Sequence, residues 1–161
     1  MSGTLLPDLS VHHVGLSVRD LDESIAFWRD ILGFEMDFKV EIPPIRARVA
    51  FLKRGGFRVE LFAIEGSTPT PPERRKPNTD LATQGTKHVA FAVDDVQSTL
   101  ETLFRRGVDI VGVLRGHGAP MLAEDDPVLQ PDDPRPPAMA LFLLDPSGIL
   151  VEIVRRSDFK D

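Results

Sequence analysis

His13-Val-Gly-Leu-Ser-Val-Arg-Asp-Leu21 and His88-Val-Ala-Phe-Ala-Val-Asp-Asp-Val96 are two copies of one pattern. Each opens on a histidine, alternates apolar with small residues, and ends on an aspartate followed by an aliphatic residue. Such alternation marks a strand, in which every second side chain lies on the same face. His13 therefore shares a face with Gly15 and Ser17, and His88 with Ala90 and Ala92. Val14, Leu16 and Val18 point the other way, as do Val89, Phe91 and Val93. The greasy face of each strand suits packing on a helix. The opposite face carries one imidazole and then only small residues, which leaves space for a cavity. A second matched pair closes each copy: Phe57-Arg-Val-Glu60-Leu-Phe and Ile149-Leu-Val-Glu152-Ile-Val. Two matched strands in the same order, each with its polar residue in register, identify an internal repeat, and a repeat decides the architecture.

Between the matched strands the periodicity predicts the rest. Asp20 is an N-cap with Glu23 three residues on, and the helix runs from about Leu21 to Leu32, burying Leu21, Ile25, Phe27, Trp28 and Leu32. Gly33 stops it from the C′ position. Ala47 to Lys53 and Phe57 to Ile64 form a hairpin around Arg54-Gly55-Gly56. In the second copy Asp95 caps a helix from about Val96 to Arg106, Gly107 ends it, and Met139 to Leu144 pairs with Ile149 to Arg155 around Asp145-Pro-Ser-Gly148. The predicted class is α+β, with two βαβββ modules, 11–66 and 87–157, forming a curved mixed sheet around a cavity. One domain spans 1–161, with a Pro- and Thr-rich linker at 67–86 and an inserted loop at 115–137. That loop carries six prolines among acidic residues. It is too long for an ordinary connection and reads as either a lid over the cavity or a mobile loop.

The chain has no cysteine, which excludes disulfides, thiolate metal sites and cysteine nucleophiles. Its formal charge of −6 argues against a nucleic-acid groove. Met1 to Ser10 has no basic start and no long apolar run, no apolar stretch approaches a membrane span, and the default compartment is the cytoplasm. A metal site in this chain must use His, Asp or Glu. A lone carboxylate between aliphatic neighbours is costly to bury. Glu60 and Glu152 both occupy such positions, in equivalent places of a repeat that also carries two equivalent histidines. A pseudo-two-fold arrangement brings His13, Glu60, His88 and Glu152 onto one concave surface. Two imidazoles and two carboxylates suit one divalent ion, Zn, Ni, Co, Mn or Fe, with positions left for water or substrate. His12 is expected to point away from His13, and His117, in Arg115-Gly-His-Gly118, is either a solvated loop residue or an acid or base reaching the cavity.

These residues resemble the vicinal oxygen chelate superfamily, also called the glyoxalase/bleomycin-resistance/extradiol-dioxygenase fold. The resemblance runs from about His12 to Arg155 and rests on His13-Val-Gly-Leu-Ser-Val with Leu32-Gly-Phe34, on Glu60, on His88-Val-Ala-Phe-Ala-Val, and on Asp145-Pro-Ser-Gly148 leading into Glu152. With all four ligand positions filled, the pattern looks like the glyoxalase I and methylmalonyl-CoA epimerase branch. The resemblance implies an isomerase, epimerase or lyase that chelates neighbouring oxygens of a small molecule and shifts a proton through a metal-stabilised enediolate. It implies Glu152 as the base, Glu60 as ligand or second acid–base group, and a homodimer. An extradiol ring-cleaving dioxygenase and a non-catalytic resistance protein are the alternatives. Two features depart from the branch: Glu41 only approximates the second catalytic glutamate of epimerases, and the glutathione-anchoring Arg and Asn of glyoxalase I are not found. Around the site, Arg58 and Phe62 share the face of Glu60, and Leu150 and Val154 that of Glu152, while Arg48 is placed at the mouth.

Overall fold

A computed structural model describes residues 5–160. The chain divides into two compact units, Met1–Ser67 and Thr68–Asp161. The first contains β1 (His13–Val18), α1 (Leu21–Asp30), β2 (Glu35–Ile42), β3 (Ala47–Arg54) and β4 (Phe57–Ile64). The second contains β5 (Val89–Val93), α2 (Val96–Arg105), β6 (Ile110–Leu114), β7 (Ala140–Leu144) and β8 (Leu150–Arg155). Each unit is the expected βαβββ module and builds its own four-stranded mixed sheet, ordered β1-β4-β3-β2 and β5-β8-β7-β6. In both, the first strand runs parallel to the last and the remaining neighbours are antiparallel. Among the described residues no helix is long and apolar enough to cross a membrane.

The helices start and stop where local chemistry dictates. The Asp20 carboxylate accepts from the Glu23 N–H at 2.8 Å, and Asp95 from the Ser98 N–H at 2.9 Å, so each N-cap satisfies a donor that the helix cannot. At the end of α1, Gly33 takes a φ of +69°, and the Phe34 N–H returns to the Trp28 carbonyl at 3.0 Å. The Gly33 N–H bonds the Arg29 carbonyl at 3.1 Å, the five-to-one bond of an αL end, and the regular helix stops at Asp30, two residues before the predicted Leu32. Arg54, from the β3–β4 turn, donates to the freed Leu32 carbonyl and places its charge at the negative helix end. α1 packs on β3 and β4, and α2 on β7 and β8. Trp28, Leu52, Val59 and Leu61 are fully buried in the first unit, and Leu100, Leu141, Leu143 and Val151 in the second. Helix and core thus take one face of each sheet and leave the histidine-bearing face uncovered by a helix.

Segment 67–86 does more than connect. Thr70 donates to the Ser147 carbonyl at 2.8 Å, and Arg75 donates to the Thr70 carbonyl at 2.8 Å. Arg75 also lies across Gly148, where a Cβ would meet its Nε at 2.9 Å. The segment is thereby fastened onto the β7–β8 turn of the second unit.

The long loop is held together by a cluster of ion pairs. Arg115 clamps Glu124 through two bonds of 2.6 Å, and Arg135 pairs with both Glu124 and Asp133. Gln97 of α2 accepts from Arg115 at 3.0 Å and from the Ala138 N–H at 3.0 Å. Leu122 forms a bridge with Val113, extending the β6 edge of the sheet. The charges of the loop bond to one another and to α2.

Candidate functional site

Strand register builds two equivalent rows. In the first unit Gly15, Glu60, Phe51 and Phe38 stand side by side across β1, β4, β3 and β2. In the second, Ala90, Glu152, Phe142 and Gly112 do so across β5, β8, β7 and β6. His13 lies two residues before Gly15 and His88 two before Ala90, on the same face as the glutamates. His13 Nε2 is 3.3 Å from Glu60 Oε2, and His88 Nε2 is 3.0 Å from Glu152 Oε2. Phe51 meets the His13 ring edge-on at 5.7 Å, and Phe142 meets His88 at 5.2 Å in the same geometry. The imidazoles are a little over one-third exposed and the carboxylates about one-fifth, so both pairs remain open to a ligand.

The spacing within each pair suits a shared cation. Zinc bonds to His nitrogen and carboxylate oxygen are about 2.0–2.2 Å long, so two neighbouring ligands stand about 3.0 Å apart at right angles and about 3.3 Å apart in a tetrahedron. The two observed separations fall on those values. Each unit offers one nitrogen and one oxygen donor in this way. Among the described residues no group of three or more His, Asp or Glu side chains that could hold a metal is present, and each unit has one His–Glu pair.

The rows differ at their far ends. Phe38 stacks on Phe51 at 4.6 Å, whereas its counterpart in the second unit is Gly112. A Cβ on Gly112 would lie 2.7 Å from Met121 Cγ and 2.9 Å from Pro77 Cγ. The volume that an aromatic ring fills in the first unit is taken in the second by one residue of the loop and one of the 67–86 segment. A small crevice of about 20 Å³ lies beside His88, with Phe142 and Leu150 as apolar wall and Arg74, Lys76 and Lys87 among its polar lining.

The remaining predicted contacts divide. Phe62 is half-buried, with its ring edge 3.2 Å from the point a Gly15 Cβ would occupy, so Gly15 is small because Phe62 and Glu60 crowd it. Leu150 is buried in the cleft wall, and Val154 is half-buried on the Glu152 face, in register with Ala92 and Ala140. Arg58 shares the Glu60 face, but it donates to Asp37 at 2.9 Å, and Lys53 binds the same carboxylate at 3.3 Å. Asp37 sits at the register shift in β2, a bulge that aims it at these cations. The Arg58 bond, assisted by Lys53, holds the Asp37 carboxyl below the ordinary carboxylate range. Arg48 is corrected: it lies on the face opposite Glu60, and its guanidinium bonds Asp22 of α1 at 3.4 Å. His117 is exposed, and among the described residues no hydrogen bond or ring contact joins it to His88 or Glu152. His12 is also corrected. It stands just outside β1, where strand alternation no longer governs its direction, and its Nδ1 lies 2.7 Å from His13 Nδ1.

Sequence reasoning passed over Phe51, Phe142 and Asp37. The two phenylalanines had a signal: each sits opposite its glutamate once the hairpins after Arg54 and Leu144 are set in register. Asp37 had none, because a bulge is not visible in the alternation of β2.

The family described as the Glyoxalase/Bleomycin resistance protein/Dioxygenase superfamily matches residues 10–153. A probable lactoylglutathione lyase of Synechocystis sp. is 28% identical over 152 residues, covering 92% of this chain and 97% of its own. The mitochondrial methylmalonyl-CoA epimerase of Bos taurus is 27% identical over 115 residues, covering 70% of this chain, and this match spans 64% of the bovine enzyme's length. Among solved structures, the trypanothione-dependent glyoxalase I of Leishmania major superposes with a TM-score of 0.62 at 22% identity, covering 91% of this chain and 86% of that one.

Proposed function

The chain belongs to the glyoxalase/bleomycin resistance/dioxygenase superfamily, and from that membership we propose that it is a metal-dependent isomerase, epimerase or lyase acting on a small substrate with neighbouring oxygens. The observation that carries the proposal is the twofold occurrence of a His Nε2 facing a Glu Oε2, at 3.3 Å and 3.0 Å, at equivalent register positions on the sheet face opposite the α-helix. A chance surface contact has no reason to recur with the same residues, the same separation and the same aromatic partner. In this reading His13, Glu60, His88 and Glu152 together hold one divalent ion, and the working form is a homodimer in the cytoplasm.

The ion, when bound, supplies Lewis acidity to two adjacent substrate oxygens and acidifies the intervening C–H. The side chains do the rest. Glu152 takes the proton from carbon and, in an isomerisation, returns it to the neighbouring carbon on the same face. In an epimerisation Glu60 supplies a proton to the opposite face of the same carbon; otherwise it stays with His13 as its charge partner. Phe51 and Phe142 fix the imidazole planes and keep water from one side of each ring. Leu150 and Phe142 give the substrate an apolar wall beside His88. Arg58 is neutralised by Asp37 and orders the wall; it does not serve as a free anion receptor.

The test is solvent-deuterium exchange with purified, metal-analysed protein over 2-oxo acids, hemithioacetals and acyl-CoA thioesters. One class acquires deuterium at the carbon beside its carbonyl, and Glu152→Ala stops that incorporation while retaining the fold. Full incorporation by the variant ends the assignment of Glu152, and metal-free protein that is fully active ends the reading.

A further inference from the structure

We propose that His12 is a positioning residue for His13: its Nδ1 accepts the His13 Nδ1 proton and so leaves His13 Nε2 as a bare lone pair toward Glu60. The inference rests on the reading that His13 binds a metal. Two Nδ1 atoms 2.7 Å apart can coexist only with a proton between them, one nitrogen donating and the other accepting. His13 Nε2 faces a carboxylate oxygen at 3.3 Å. If Nε2 carries the proton, it donates to Glu60, and His12 must be the donor across the Nδ1 pair. If a cation lies between Nε2 and Glu60, Nε2 must be unprotonated, the proton sits on His13 Nδ1, and His12 is the acceptor with its own proton on Nε2. With both imidazoles neutral, the pair exchanges roles without a change of charge.

Two further observations support this role. The His12 carbonyl accepts from the Arg58 N–H at 3.1 Å, which ties the backbone of His12 to β4 beside the site. The two rings cross edge-on at 80° with centroids 5.0 Å apart, which keeps the His12 ring from competing for the position of His13. The second unit has no such partner. Its equivalent residue is Lys87, whose ammonium is held by Asp80 and by the Thr83 carbonyl. The repeat is therefore asymmetric, with one ligating histidine oriented by a neighbouring imidazole and the other not. An outer partner that sets tautomer and ring plane typically governs ten- to hundred-fold of metal affinity.

Zinc, being diamagnetic, serves as the probe. Zinc titration by calorimetry is compared for wild type, His12→Phe, His12→Asn and His13→Ala, and long-range proton–nitrogen correlation spectra read the tautomers with and without zinc. We expect His12→Phe to lose about ten-fold in zinc affinity and His12→Asn, whose side-chain oxygen can replace the Nδ1 acceptor, to stay within about three-fold of wild type. With zinc bound, His12 should show its proton on Nε2. Unchanged affinity in His12→Phe, or a His12 proton found on Nδ1 in the zinc-bound protein, overturns the proposal. If His13→Ala binds zinc like wild type, the metal reading itself is wrong. The metal-free spectra then decide the pairing: His12→Phe must shift the His13 nitrogen resonances, and unmoved resonances defeat it.

Discussion

Replacing Arg115 with methionine keeps the aliphatic stem and removes every polar contact that this side chain makes across the long loop. The guanidinium is about nine-tenths covered and reaches Glu124 twice at 2.6 Å, Gln97 at 3.0 Å and the Pro136 carbonyl at 2.8 Å. Breaking one side of a well-covered ion pair costs about 3–5 kcal/mol, because the abandoned charge has lost its water. Here Glu124 keeps Arg135 at 3.2 Å, so its charge is not fully orphaned and the expected loss is about 2–3 kcal/mol. The only tryptophan, Trp28, belongs to the first unit, so its fluorescence would report the wrong one. Hydrogen exchange read by mass spectrometry on peptides covering 115–137 reports the loop directly. Its exchange should speed up roughly 30- to 150-fold in Arg115→Met. Arg156→Met, which breaks an ion pair whose side chains are 63% and 88% exposed, serves as the control and should change nothing measurable. The double variant with Glu124→Gln should be less disturbed than the sum of the singles by about 1–2 kcal/mol. Less than about three-fold acceleration in Arg115→Met would falsify the claim that this cluster closes the loop.

Gly112→Ala should destabilise the second unit by about 1–3 kcal/mol, since the new methyl overlaps Met121 and the Pro77 ring, whereas Gly56→Ala, with open space at its Cβ, should stay within about 0.5 kcal/mol; urea unfolding monitored by circular dichroism compares them. Asp20→Ala and Asp95→Ala each remove an N-cap and should cost about 1 kcal/mol in the same assay, with equal effects of zero arguing against the capping geometry. The bond from Arg135 holds the Asp133 carboxyl far below its usual value of 3.8, helped by the backbone N–H of the same residue. Because that value is depressed on folding, the contribution is present above the ordinary Asp range and lost as pH falls through the native value. The Arg135 side-chain N–H resonance should stay constant from neutral pH down to about 4 and change only under stronger acid; a transition near neutral pH would contradict the pairing.

The alternation in 13–18 and 88–93, the glutamates in the closing strands and the Asp and Gly punctuation of both helices were readable because each is a local consequence of side-chain period and backbone geometry. Both modules, their strand order within the βαβββ plan and the shared face of each His and Glu follow from those features. His12 was misplaced because it lies one residue before the strand, where alternation has no force. Arg48 was placed at the mouth from its alternation along the strand, although its partner Asp22 comes from the helix packed on the other face. The 115–137 loop read as a lid or a mobile loop because of its length, and nothing in its spacing announces that Arg115, Glu124, Gln97 and Arg135 bond across it.

Order along the chain and periodicity by themselves determined the two βαβββ modules and the face that each His and Glu of the repeat takes, since both depend on neighbours within a few residues. Only tertiary structure decided that Phe51 and Phe142 abut the imidazoles, that Asp37 claims Arg58, and that Met121 and Pro77 fill the volume above Gly112. Those pairings join residues distant in sequence through sheet register and loop docking, and register depends on a bulge or a hairpin closing in space, which no local pattern encodes.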